Sequence, residues 1–110
     1  MTGKELAKAF GDAVNSSNFD KDEFIQEFAR EHRTLQQSMF GAMLGVVKFV
    51  GSSEYRTDAR NEQSHKVAKQ ILDGYREEVV KEFMSQGDSE ERARKHSKMF
   101  VDRIDCLGFI

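Results

Sequence analysis

Apolar positions recur along most of the chain at spacings of three and four, the period of a helix with one buried face. Leu6, Phe10, Ala13 and Val14 share such a face and predict a short helix over 3–14, opened by a Thr2/Glu5 capping box. Asn15-Ser16-Ser17-Asn18 predicts a turn. Asp20 and Glu23 then form a second capping box, with Phe19 and Phe24 placed as a hydrophobic staple. From there Phe24, Ile25, Phe28, Leu35, Met39, Met43, Val46 and Val50 fall on one broad face, which predicts a single helix over 20–50. Gly51-Ser52-Ser53 ends it. A third helix is expected from Thr57 or Asp58 to about Ser85, with Ala68, Ile71, Leu72, Tyr75, Val79 and Phe83 turned inward. A third capping box, Asp88 with Glu91, opens a last helix to about Asp105, whose inner face reads Ala93, His96, Phe100 and Ile104. The tail Leu107-Gly108-Phe109-Ile110 is apolar and is expected to pack on something.

The expected fold is therefore all-α, a single domain over 1–110 of four helices, dominated by a long antiparallel helical hairpin over residues 20–86. Beyond Met39 the chain is apolar nearly all round, and Gly41 and Gly45 stand four apart. Glycine costs about 1 kcal/mol against alanine in a helix interior, so the pair implies either a close helix–helix approach or two tolerated glycines. In the hairpin register, Gln36 comes level with Leu72, ~16 Å along the helix axis from Asn61. Polar residues in the two segments then meet more easily across a homo-oligomer than within one chain.

Composition narrows the function classes. The chain has 110 residues, no proline and a formal net charge of −2, which argues against a general nucleic-acid binder. Cys106 is the only cysteine, so neither an intramolecular disulfide nor a multi-cysteine metal site can form. The first residues are charged and carry no apolar signal core. The longest apolar-rich run, Met39–Val50, is interrupted by Lys48 and is shorter than the roughly 20 residues that span a bilayer. A soluble, cytoplasmic protein without membrane partners is expected.

Two polar segments stand where apolar residues would pack better. His32 lies mid-face on the 20–50 helix and Gln36 near its edge, spaced i and i+4, with Arg33 and Gln37 paired likewise on the next face. Arginine holds phosphate or carboxylate with two bonds, and glutamine reads a base or amide edge. The same residues also read as a satisfied core histidine beside an ordinary solvated face. The second segment, Tyr55 to Glu62, lies at a helix N-terminus, where free N–H groups and the dipole favour anions. Arg56 and Arg60 strengthen that, Tyr55 offers a ring for stacking, and Asn61 points inward; a capped helix end with surface ion pairs is the plainer reading.

Glu62-Gln63-Ser64-His65 is half of a carboxylate-bridged di-metal ligand set. No second Glu-x-x-His follows, and Glu62 and His65 are expected to point away from the inward stripe, so no metal and no cofactor is expected. Cys106 lies at the wrong dipole end for a thiolate, and no nucleophile-elbow or phosphate-loop pattern is present. The basic run Arg92 to Lys98 follows Glu90 and Glu91 and reads as a solvated face.

His32-Arg33-Thr34-Leu35-Gln36-Gln37, followed by Tyr55-Arg56-Thr57-Asp58-Ala59-Arg60-Asn61-Glu62, resembles small uncharacterised phage and mobile-element proteins that pair an HRTLQQ helix with a Y-x-x-D-x-RNE helix. The likeness covers about residues 28–72. A weaker one is to the helical hairpin of phage nucleotide sponges that blunt CBASS and Thoeris signalling. Thr34-Leu35-Gln36-Gln37-Ser38-Met39-Phe40 approximates their T-x-L-Q-x-G-F-M-x-L helix, with one residue missing and Ser for Gly, so no sponge residue carries over by position. The resemblance implies a non-enzymatic, homo-oligomeric protein that sequesters an anionic small molecule such as a nucleotide immune signal. The ligand residues expected from the two polar segments themselves are His32, Arg33, Gln36, Gln37, Tyr55, Arg56, Arg60 and Asn61. The alternative is a helical module that binds a host or phage protein.

Overall fold

The computed structural model describes residues 3–31, 39–57 and 61–103. Every α-helix among them is short except one: α1 (Gly3–Val14), α2 (Lys21–Arg30), α3 (Met39–Val50), α4 (Glu62–Ser85) and α5 (Glu90–Asp102), with a 3₁₀ turn at Tyr55–Thr57. The all-α class is as expected, but five α-helices stand where four were predicted. The single helix over 20–50 is replaced by α2 and α3. Glu31 closes α2 in a non-helical conformation (φ −96°, ψ 5°), its N–H shared between the Glu27 and Phe28 carbonyls. His32, Arg33, Gln36 and Gln37 lie outside the described residues, as do the Thr2 half of the first capping box and the tail from Ile104.

The caps of α2 and α4 follow from local chemistry. Asp20 is the α2 N-cap, its Oδ1 accepting from the N–H groups of Asp22 (3.0 Å) and Glu23 (3.2 Å). Phe19 and Phe24 pack with ring centroids 5.5 Å apart, which places the expected staple. At the other end of α4, Gly87 adopts φ +108°, a conformation open to glycine. Its N–H bonds Met84 O at 3.1 Å and the Asp88 N–H bonds Phe83 O at 3.2 Å, which is a Schellman motif. The α5 cap differs from expectation. Ser89, one residue later than Asp88, accepts from the Arg92 N–H at 3.3 Å, while the Asp88 carboxylate pairs with His96 Nδ1 at 3.0 Å.

The organising element is α4, ~36 Å of helix against which all four other helices pack. Ala68, Ile71, Leu72, Tyr75 and Val79 are buried along it as the periodicity predicts, while Phe83 is half-buried. Its start is corrected to Glu62, later than Thr57 or Asp58. On α5 the buried residues are Ala93, Ser97 and Val101, whereas His96 and Phe100 sit half-buried at the edge.

α2 lies on α4 in the same chain direction, not antiparallel. Ile25 abuts Gly74, Phe28 meets the Tyr75 ring, and Ala29 and Arg30 border a groove with Glu78, Glu82 and Ser85. Antiparallel packing from the Ile25–Gly74 contact would carry Arg30 back to about residue 69, ~24 Å from Ser85. The α4 residues that meet α2 (Gly74, Tyr75, Glu78, Glu82) and those that meet α5 (Arg76, Glu77, Val80, Phe83) centre about half a turn apart at 3.6 residues per turn. α4 is thus sandwiched between α2 and α5. α3, with Leu44, Val46, Val47 and Val50 fully buried, fills a further side and is covered by α1. Gly45 is buried and Gly41 half-buried on α3.

Lys48, which interrupts the apolar α3, has a defined task. Its Nζ donates to Val101 O at 3.1 Å and Asp102 O at 3.3 Å, two terminal carbonyls of α5, a helix with no basic residue in its last turn. A cation at a helix C-terminus both satisfies carbonyls and complements the dipole. Lys48→Met is expected to lower stability by about 1–2 kcal/mol, from the loss of charged hydrogen bonds, in chemical denaturation; an unchanged midpoint would contradict the cap.

Candidate functional site

Three of the eight expected ligand residues fall within the described chain, all in the connection from α3 to α4: Tyr55, Arg56 and Asn61. Arg60, like the four on the His32–Gln37 segment, lies outside the described residues. The connection is built by Ser52. Its Oγ donates to Phe49 O at 2.6 Å and accepts from the Tyr55 N–H at 3.4 Å, and its carbonyl accepts from the Arg56 N–H at 3.3 Å. That same carbonyl takes a second bond, 3.1 Å, from His65 Nδ1 of α4. Because a carbonyl only accepts, His65 carries its proton on Nδ1 there.

His65 is therefore buried, against the expectation that it points away from the stripe. The spacing 65, 68, 72, 75, 79 is in fact the stripe's own period, and the partner of the buried imidazole is supplied by the turn folded over it. Glu62 is exposed, so the Glu-x-x-His pair is split between surface and interior. Among the described residues no three His, Cys, Asp or Glu side chains converge as a metal would require.

Asn61 is half-buried, and its Nδ2 donates to Tyr55 O at 3.0 Å. It does not cap α4 with its side chain. Its amide thus clamps the 3₁₀ turn to the start of α4. The Tyr55 ring is half-buried, edge-on to Phe49 with centroids 5.7 Å apart, and its hydroxyl lies close to Gly11 of α1, as does Ser64 Oγ. A Cβ at Gly11 would stand 3.1 Å from Ser64 Oγ and 3.4 Å from the Tyr55 hydroxyl, so glycine lets α1 approach the connection closely. Arg56 alone of the three is exposed, with no side-chain partner among the described residues.

Three further polar arrangements were not singled out from the sequence. Asp88 and His96 pair across the α4–α5 corner, with the imidazole edge-on to Phe83 at 5.8 Å. Their separation of eight residues spans a turn and two helical turns, which no local pattern flags. Arg94 bridges Glu77 at 2.8 Å and Glu90 at 3.1 Å, and this hydrogen bonding holds the Glu77 carboxyl below the usual carboxylate range. Ser97, buried on α5, donates to Arg76 O at 3.0 Å. Arg76, Glu77, Val80, Arg94, Ser97 and Lys98 line a groove of about 210 Å³, in which Arg76 and Arg94 have acid partners and Lys98 has none among the described residues.

Tyr75 is fully buried, and its hydroxyl has no hydrogen-bond partner among the described residues. Burial pushes its ionisation well above the ordinary phenol value. Leaving a buried hydroxyl unpaired costs about 1–3 kcal/mol, so Tyr75→Phe is expected to raise the melting temperature. The sign of the pH effect follows: the unfolded phenol ionises near pH ~10 while the folded one stays neutral. Stability therefore falls as pH rises above that value, and the variant should lose this alkaline limb. A lower melting temperature for Tyr75→Phe would show that the hydroxyl has a partner.

Among the described residues no helix is long and apolar enough to cross a membrane. No family model, curated protein or solved structure matches the chain.

Proposed function

We propose that this protein is a small, non-enzymatic, oligomeric binding protein that sequesters an anionic small molecule, on the pattern of the phage nucleotide sponges it weakly resembles. The observation that supports this reading is an exposed Arg56 in the connection that leads into α4, where the Asn61 amide bonds Tyr55 O and makes no cap bond to the helix N–H groups. Anions favour such a helix start, and a guanidinium adds a two-bond clamp. Isothermal titration against cyclic dinucleotides, cyclic trinucleotides and ADP-ribose signals tests it. Binding that weakens in Arg56→Glu is expected; no heat from folded protein with any of them would sink the nucleotide reading.

A second reading, a helical module for a host or phage protein, draws on the Asn61–Tyr55 clamp. An amide committed to a backbone carbonyl 3.0 Å away serves the fold. On this reading Asn61→Ala lowers the melting temperature and leaves partner binding intact.

A further inference from the structure

Because α2 and α5 pack on opposite sides of α4, their outer faces look away from each other, and these faces carry opposite charge. On α5, Arg92, Lys95 and Arg103 fall within about a quarter-turn of one another around Met99, at 3.6 residues per turn, with Lys98 alongside; all five are exposed. None of these four cations has a carboxylate partner among the described residues, whereas Arg76, Lys81 and Arg94 each have one. The acids on that side are Glu91 and Asp102, and Asp102 is committed to Arg76 at 3.3 Å. Met99 is 46% exposed, an apolar centre within a basic ring.

The outer face of α2 is the complement. Asp22, Glu23 and Glu27 are exposed there beside Gln26 and Arg30, and none of the three carboxylates has a cation partner among the described residues. Phe19 and Phe24, half-buried at the same end, offer aromatic surface that a methionine can meet. Within one chain the two faces cannot neutralise each other, since α4 stands between them.

We propose that the basic face of α5 docks on the acidic face of α2 of a second copy of this chain. The net charge of −2 repels polyanions such as nucleic acid or an anionic membrane, whereas the chain's own α2 face presents acids in a matching stripe. The contact is heterologous: a docked pair keeps one free face of each sign, so association continues into a ring or a short filament. Exposed ion pairs are individually weak and screened by salt, which makes the assembly salt-sensitive. This inference extends the oligomer in the reading above, and its test uses no ligand, so its outcome is separate from the titrations.

Sedimentation velocity of the full chain, without nucleotide, tests it with two variants, Arg92→Glu/Lys95→Glu and Glu23→Lys/Glu27→Lys. The wild-type chain should associate with rising concentration at low salt and become monomeric near 1 M salt, where the Debye length is about 3 Å. Each variant alone should be monomeric, while their equimolar mixture should associate one-to-one, the two intact faces meeting each other and the two charge-reversed faces meeting likewise. Thermal melts establish that both are folded, with Glu27→Lys alone replacing the double variant if that fails to fold. A wild-type chain monomeric at every concentration, variants that self-associate like wild type, or a mixture that does not associate would each overturn the proposal. So would a monomeric chain whose α5 face is retained by anionic vesicles or RNA.

Discussion

Replacing Phe28 with alanine is expected to remove about 3–5 kcal/mol of stability, the usual cost of truncating a buried phenylalanine. Phe28 is 3% exposed and makes edge-on contacts with Phe24 at 4.6 Å and Tyr75 at 5.9 Å. It therefore joins α2 to α4 at the point where the two helices share their largest side chains. A domain has only about 5–15 kcal/mol in total, so the denaturation midpoint should fall steeply. The same truncation at exposed Glu27, one residue away, should leave it nearly unchanged. A loss below about 1.5 kcal/mol for Phe28→Ala, the scale of a tolerated core swap, would mean that α2 is not held on α4 as described.

The second large effect is at Gly74. A Cβ built there would collide with the Ile25 Cδ1 and crowd Cγ1 at 3.3 Å. Gly74→Val is expected to destabilise by about 1–3 kcal/mol, as overpacking does, even though valine is the better helix former. Ile25→Val removes the clashing methyl. Alone it should cost about 0.5–1.5 kcal/mol, but in the Gly74→Val background it should restore stability. That reversal of sign in a double-mutant cycle is the signature of direct contact. Simple additivity would place the two residues apart.

Much of this architecture can be read from the sequence, for identifiable reasons. The Asp20 cap, the Phe19–Phe24 staple and the α4 stripe rest on spacing within one or two turns, which local pattern reports directly. The division of 20–50 into α2 and α3 cannot be read that way. No glycine or proline marks Glu31 to Ser38, and the apolar spacing runs on, so the local pattern carries no signal for the end of α2 at Glu31. Gly74, unlike Gly41 and Gly45, is a lone glycine between Asp73 and Tyr75 that carries no repeat, whereas its importance lies in a residue 49 positions away.

The polar residues divide along the same line. Asn61 is misplaced for a simple apolar stripe, and the backbone carbonyl of Tyr55 is what it answers to. Lys48 looked like an interruption because its partners, the Val101 and Asp102 carbonyls, lie more than fifty residues away. His65 was set aside although its spacing to Ala68 and Leu72 matches the stripe. Its partner, Ser52 O, exists only once the connection has folded back over α4. Such hydrogen bonds belong to the tertiary fold, and sequence spacing shows one end of each.

The placement of α4 between α2 and α5 underlies the charge separation and hence the proposed assembly. It is tested most directly by a distance between the two outer helices. Spin labels at Glu27→Cys on α2 and Lys95→Cys on α5, in a Cys106→Ser background, read it by pulsed electron resonance, with labelled chain diluted in unlabelled chain at high salt. Two helix spacings, at least about 18 Å between axes with both labels pointing outward, are predicted. A short separation near a single spacing of about 9 Å, as for α2 lying directly on α5, would contradict the account.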